Sequence, residues 1–130
     1  MTSAELRAEI KQVFPALRHM WLLDPEYQVP ALADLTTRAA LCWPADEYRA
    51  QVFECEEFSM AFIVAMRRKE VEAGQGANWP LFLALADKLN GSEYNHVVTV
   101  ALCEEGVFII DAQAKEIRPS HNDNIYFLVG

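Results

Sequence analysis

The run from Cys55 to about Ala73 limits what this chain can fold into more than any other stretch. Phe58, Phe62 and Met66 recur at helical spacing, and Ala61, Ile63, Val64 and Ala65 fill the intervals, so the predicted helix is apolar on most of its surface until Arg67. Such a helix needs cover on more than one side, which makes it the expected central buried element. Gly74-Gln75-Gly76-Ala77-Asn78 ends it with glycine C-cap chemistry. Its first residue is a cysteine. A thiol at a helix start lies beside unpaired backbone N–H groups and the positive end of the helix dipole, which favours the thiolate. Glu56 and Glu57 suit the first turn for the same dipole reason.

Shorter helices are predicted ahead of it. Leu6, Ile10, Val13, Phe14, Leu17 and Met20 recur every three or four residues, giving an amphipathic helix from about Thr2 to Trp21, capped by Thr2 or Ser3 and broken or kinked at Pro15. His19 falls at its end as a partly exposed cation. Asp24-Pro25-Glu26-Tyr27-Gln28-Val29-Pro30 is a turn-rich connector, followed by a helix over Ala31 to Leu41 with Leu32, Leu35 and Ala39 on one face. Tyr48 to Phe53 fits a short strand or irregular backbone. Trp79 to Leu89 reads as a further short helix, with Pro80 in its first turn and Asn90-Gly91 as its stop.

After Asn90-Gly91-Ser92 the period becomes that of strands. Asn95 to Cys103 is valine-rich, Glu104-Glu105-Gly106 is a turn, and Val107 to Asp111 is apolar, so the two runs form an antiparallel hairpin. Glu116 to Arg118 and Asn124 to Val129 supply a third and a fourth strand. The expected fold is α+β: N-terminal helices, including the central one starting at Cys55, packed on a small C-terminal antiparallel sheet in one domain spanning 1–130.

Composition removes several functions. The net charge is −8, with no basic cluster beyond Arg67-Arg68-Lys69, so nucleic acid is not an expected partner. No apolar run has bilayer length, and Met1-Thr2-Ser3-Ala4-Glu5 has neither the basic nor the apolar part of a signal peptide. The expectation is a cytoplasmic protein with no membrane partner, or a fragment whose export signal was removed. Cys42, Cys55 and Cys103 form no CxxC pair, which argues against a disulfide framework and a zinc knuckle. Cys42 and Cys103 read as small buried hydrophobes.

The candidate chemistry gathers around Cys55. If the Glu104-Glu105 turn is even, Leu102 pairs with Val107 and His96 falls opposite Gln113. His96, Asp111 and Gln113 then share a face, with the Cβ atoms of His96 and Asp111 roughly 7 Å apart or less. A one-residue slip would separate them. In that register His96 takes the thiol proton of Cys55, Asp111 orients the imidazole, and the thiolate attacks a carbonyl. The Cys55 backbone N–H serves the oxyanion, and Gln51, Gln113 and Tyr48 are candidates for the second donor.

The matching pieces are Asp24-Pro25-Glu26-Tyr27-Gln28-Val29-Pro30, Phe53-Glu54-Cys55-Glu56-Glu57-Phe58-Ser59, Asn95-His96-Val97-Val98 and Ile110-Asp111-Ala112-Gln113. In that order they resemble the papain-like and transglutaminase-like cysteine peptidases, most of all the papain-like domain of a mushroom galactose-binding agglutinin and related small bacterial and phage proteins. The resemblance covers about residue 20 to the end. It implies Cys55 as nucleophile, His96 as general base, Asp111 as orienting acid and Gln113 as a site neighbour. Cys-Glu-Glu-Phe-Ser departs from the family's more usual Cys-Asp/Glu-Asp-Phe-Ala, and Asp111 stands where the agglutinin type has Glu. The resemblance also implies calcium dependence, for which Glu56 and Glu57 are the weak candidate ligands; no cofactor is otherwise expected.

Three functional classes follow. The first is a small cysteine hydrolase, a peptidase or amidase acting on a peptide or amide substrate through a thioester. The second is the same fold without activity, serving as a binding or dimerisation module, with a homodimer as one arrangement. The third and most distant is a zinc site from Cys55, His96 and one carboxylate.

Overall fold

The computed structural model describes residues 1–51, 53–74 and 76–130. Val52, within the Tyr48–Phe53 segment, and Gln75, after the central helix, lie outside the described residues. Among the described residues the helices are α1 (Ser3–Val13), α2 (Leu32–Ala39) and α3 (Cys55–Ala73). The strands are β1 (His19–Trp21), β2 (Leu81–Leu89), β3 (Ser92–Cys103), β4 (Gly106–Asp111), β5 (Glu116–Pro119) and β6 (Asn124–Val129). They form one six-stranded sheet in the order β1-β6-β2-β3-β4-β5. β1 runs parallel to β6, and the other neighbouring pairs are antiparallel. The fold is therefore α+β with a mostly antiparallel sheet, larger than the four strands expected.

Helix α1 starts on a capping box: Glu5 N–H donates to Thr2 Oγ1 at 3.2 Å, and Thr2 N–H donates to Glu5 Oε1 at 3.3 Å. Thr2→Ala is expected to lower stability by about 1 kcal/mol, read as a fall in the thermal midpoint. The helix stops at Val13, before Pro15, and does not resume. The expected second piece is instead β1, which satisfies its backbone on the free edge of β6 and buries Met20. His19 consequently lies on an edge strand, its ring centroid 6.4 Å from that of Phe127, and not at a helix end.

The predicted helix over Trp79 to Leu89 is also a strand. Leu81-Phe82-Leu83-Ala84-Leu85-Ala86 is apolar without alternation, a pattern that suits a short helix or a strand covered on both faces. Pairing decides it, because β2 is hydrogen-bonded to β3 on one side and β6 on the other. Asn90 and Gly91, read as a helix stop, take φ of 48° and 83° and close the β2–β3 hairpin, the left-handed pair that a two-residue turn requires.

The sheet separates two cores. On one face Leu6, Ile10, Phe14 and Met20 pack with Phe82, Val98, Val100 and Ile109. On the other, Leu35, Ala39, Phe58, Phe62 and Met66 pack with Leu81, Ala101, Phe108 and Ile110. Cys42 and Cys103 are buried thiols in this second core. Helix α3 buries Phe58, Ser59, Phe62, Met66 and Glu70 along a single stripe, while Met60, Val64 and Val71 are 45%, 50% and 80% exposed. Its cover is thus one-sided, contrary to expectation. Both stripes are apolar, so composition alone does not distinguish the packed face from the open one. Gly74 ends α3 in the left-handed region, φ 68°.

Candidate functional site

The site is set by the register of the β3–β4 hairpin. Leu102 pairs with Val107 and Cys103 with Gly106, so the turn is centred between Glu104 and Glu105 as the sequence analysis requires. That parity brings His96 and Asp111 together, with Nε2 3.8 Å from Oδ2. The expected Gln113 partner is not brought in. Asp111 Oδ1 accepts from the N–H groups of Gln113 and Ala114, at 3.1 Å each, and folds the chain into a turn. Gln113 is exposed there, and among the described residues His96 pairs across the strand with Ala86 of β2.

The His96–Asp111 separation is too long for a hydrogen bond, and Nε2 is buried with no partner among the described residues. It is an ion-pair geometry that strengthens when the ring carries a proton. The imidazole is the main reason the Asp111 carboxyl is held below the usual carboxylate range; burial opposes the shift, and the Ala114 and Gln113 N–H groups add to it. Tyr94 stands edge-on to the ring at 5.4 Å between centroids.

Cys55 is the first residue of α3, half-buried, and meets β3 at the Val97 backbone, one residue from His96. Ser59, one turn further along, donates to Val97 O at 3.3 Å and fastens the helix there. The thiol donates to Glu56 Oε2 at 3.4 Å. Burial first, then the Glu56 carboxylate, pushes the Cys55 thiol up, against the pull of the Val97 backbone. Burial and the adjacent Glu56 carboxylate thus oppose the thiolate that a helix start favours. Glu56 itself is held below the usual range, chiefly by its own backbone N–H, with smaller pulls from Cys55, Glu57 and His96.

The remaining candidates stand apart. Tyr48 is 56% exposed. Gln51 is exposed with φ 62°, and its backbone N–H donates to Glu54 Oε1 at 2.7 Å. Among the described residues, no hydrogen bond joins the side chain of Tyr48, Gln51 or Gln113 to Cys55. Glu57 leaves Oε2 buried without a partner among the described residues. Calcium takes six to eight oxygens, and among the described residues no group of three or more His, Cys, Asp or Glu side chains is placed to hold a metal. Glu56 and Glu57 by themselves supply fewer oxygens than calcium takes, and Cys55, His96 and a carboxylate do not form such a group among the described residues. Among the described residues no helix is long and apolar enough to cross a membrane.

Sequence reasoning missed Ser59, Tyr94 and the engagement of Glu56 with the thiol. Ser59 was findable, since it lies four residues from Cys55 on the same helix face.

No protein-family model matches the chain, and no curated protein matches it in sequence. Solved structures do. PSL1a in complex with E64 superposes with a TM-score of 0.80 at 19% identity, covering 100% of this chain and 51% of that one. The likeness is one of fold. Polyporus squamosus lectin, bound to the human-type influenza-binding epitope Neu5Aca2-6Galb1-4GlcNAc, gives a TM-score of 0.77 at 18% identity, covering 100% of this chain and 49% of that one. The chain thus spans about half the length of the mushroom lectin chains it resembles.

Proposed function

We propose that this chain is a small papain-like cysteine hydrolase acting on a peptide or amide bond. The observation that carries the reading is the His96–Asp111 pair, with the helix-start Cys55 meeting β3 at the Val97 backbone, one residue from His96. Cys55 passes its proton to His96, and the sulfur attacks the carbonyl carbon, forming an S–C bond as the carbonyl electrons move to oxygen. The Cys55 backbone N–H meets that oxyanion. Collapse expels the amine, which takes the proton from His96 and leaves a thioester. Water, giving its proton to His96, releases the acid and restores the thiol. Asp111 keeps the ring oriented throughout.

A second reading is a binding module, and the comparisons suit it better than a peptidase. The Polyporus squamosus neighbour is named a lectin and is bound to a sugar epitope, and here the resting sulfur is held as a thiol. Strand parity also aligns His96 and Asp111 with Val98 and Ile109 of the α1-side core, whereas α3 packs on the opposite face.

The test is covalent labelling of the full chain with iodoacetamide and with E64, whose epoxide a thiolate opens, followed by peptide mapping. The hydrolase reading expects E64 on Cys55 and a fall of about tenfold or more in Cys55 alkylation at pH 7 in His96→Ala. Equal rates in wild type and His96→Ala would defeat it. Binding of Neu5Aca2-6Galb1-4GlcNAc by calorimetry, without E64 labelling, would establish the second reading.

A further inference from the structure

We propose that Glu56 is a latch on Cys55: its carboxylate holds the thiol proton in the resting site and must leave before the sulfur can act with His96. The inference rests on the hydrolase reading above and concerns the regulation of that site. The geometry is direct, because the thiol donates to Glu56 Oε2 at 3.4 Å, while His96 Nε2 faces Asp111. A base that shared the thiol proton would need the sulfur's hydrogen bond for itself. In the resting site that bond belongs to a neighbour on the same helical turn.

The groups around the latch are few. Cys55 and Glu57 face Glu56 from α3, the Val97 backbone and His96 lie across on β3, and Asp111 stands behind His96 on β4. Glu56 is kept ionised there, chiefly by its own backbone N–H, and its negative charge opposes a second negative charge on the sulfur. Two carboxylates, Glu56 and Asp111, also share the field of one imidazole. When Glu56 rotates away, the S–H proton is free to pass to the imidazole, giving thiolate and imidazolium. No proton is lost from the site, and Asp111 remains ionised beside the ring. This assigns Glu56 a positioning role, since the thiol bond is to its carboxylate.

The experiment is the rate of iodoacetamide alkylation at Cys55, mapped by peptide, from pH 5 to 9 in the full-length chain. Wild type, Glu56→Gln, Glu56→Ala and Glu57→Gln are compared, each with and without His96→Ala. In this reaction the sulfur–carbon bond forms, iodide leaves, and the thiol proton goes to the imidazole or to solvent. The expected result is alkylation roughly tenfold faster in Glu56→Gln at pH 7, equal to a midpoint lowered by about one pH unit. Glu57→Gln, which leaves the Cys55–Glu56 bond in place, should gain less than Glu56→Gln, and adding His96→Ala should remove the gain. If His96→Ala slows wild type but neither Glu56 variant is faster, the latch is wrong and the hydrolase reading stands. If His96→Ala has no effect in any background, the hydrolase reading fails and the latch fails with it.

Discussion

Glu70→Ala is expected to destabilise the fold by about 3–5 kcal/mol, because it removes one partner of a buried ion pair and strands the other. Glu70 sits on the buried stripe of α3 and pairs with Arg38 of α2, with side-chain exposures of 7% and 16% respectively. Its second oxygen accepts the Ala77 N–H at 2.6 Å, holding the segment that follows α3. Arg38 in turn lies over the Trp79 ring, 3.9 Å from its centroid, so the guanidinium has its aromatic face contact but little water. Loss of the carboxylate leaves that charge partly buried and unpaired. Arg38→Ala should cost less than Glu70→Ala, since Glu70 would keep the Ala77 bond, and the double variant should cost less than the sum. Urea denaturation checks all three. A loss below about 1 kcal/mol in Glu70→Ala would show that the pair is screened as an ordinary surface bridge.

The parts of this molecule legible in its sequence are those where local pattern and tertiary demand agree. Helix α3 begins at Cys55 and ends at Gly74, as its apolar run and glycine cap require. The β3–β4 register follows from a two-residue turn between runs whose apolar residues must alternate between two cores. What was not legible depends on partners distant in the chain. β2 is a strand because β3 and β6 flank it, and the residues Ala84, Leu85 and Ala86 carry no local preference strong enough to announce this. β1 exists because β6 offers an unpaired edge. At the candidate site, strand parity made the approach of His96 to Asp111 legible, but not the bond between the Cys55 thiol and Glu56. Proximity of Glu56 to Cys55 is trivial in sequence, whereas the side-chain orientation that turns its carboxylate onto the thiol is not.

In the hydrolase reading, Asp111→Asn is expected to slow the inactivation of Cys55 by E64 by about two to four orders of magnitude at pH 7, with little change in fold. An amide in place of the carboxylate offers the ring no negative charge, so an imidazolium formed during thiol deprotonation loses its counter-ion at 3.8 Å. The same substitution has a second signature in the pH dependence of stability. The Asp111 carboxyl titrates below its ordinary value in the folded chain, principally through the His96 ring. A lowered folded-state value means that the carboxylate stabilises the fold above its ordinary range, and that this contribution is lost as pH falls through the lowered value. Asp111→Asn should therefore reduce stability at neutral pH while flattening its decline on the acid side of pH 4. Unchanged E64 kinetics with a flattened acid limb would assign Asp111 to the fold alone, and the His96–Asp111 pair would then be a structural clasp at the end of β4.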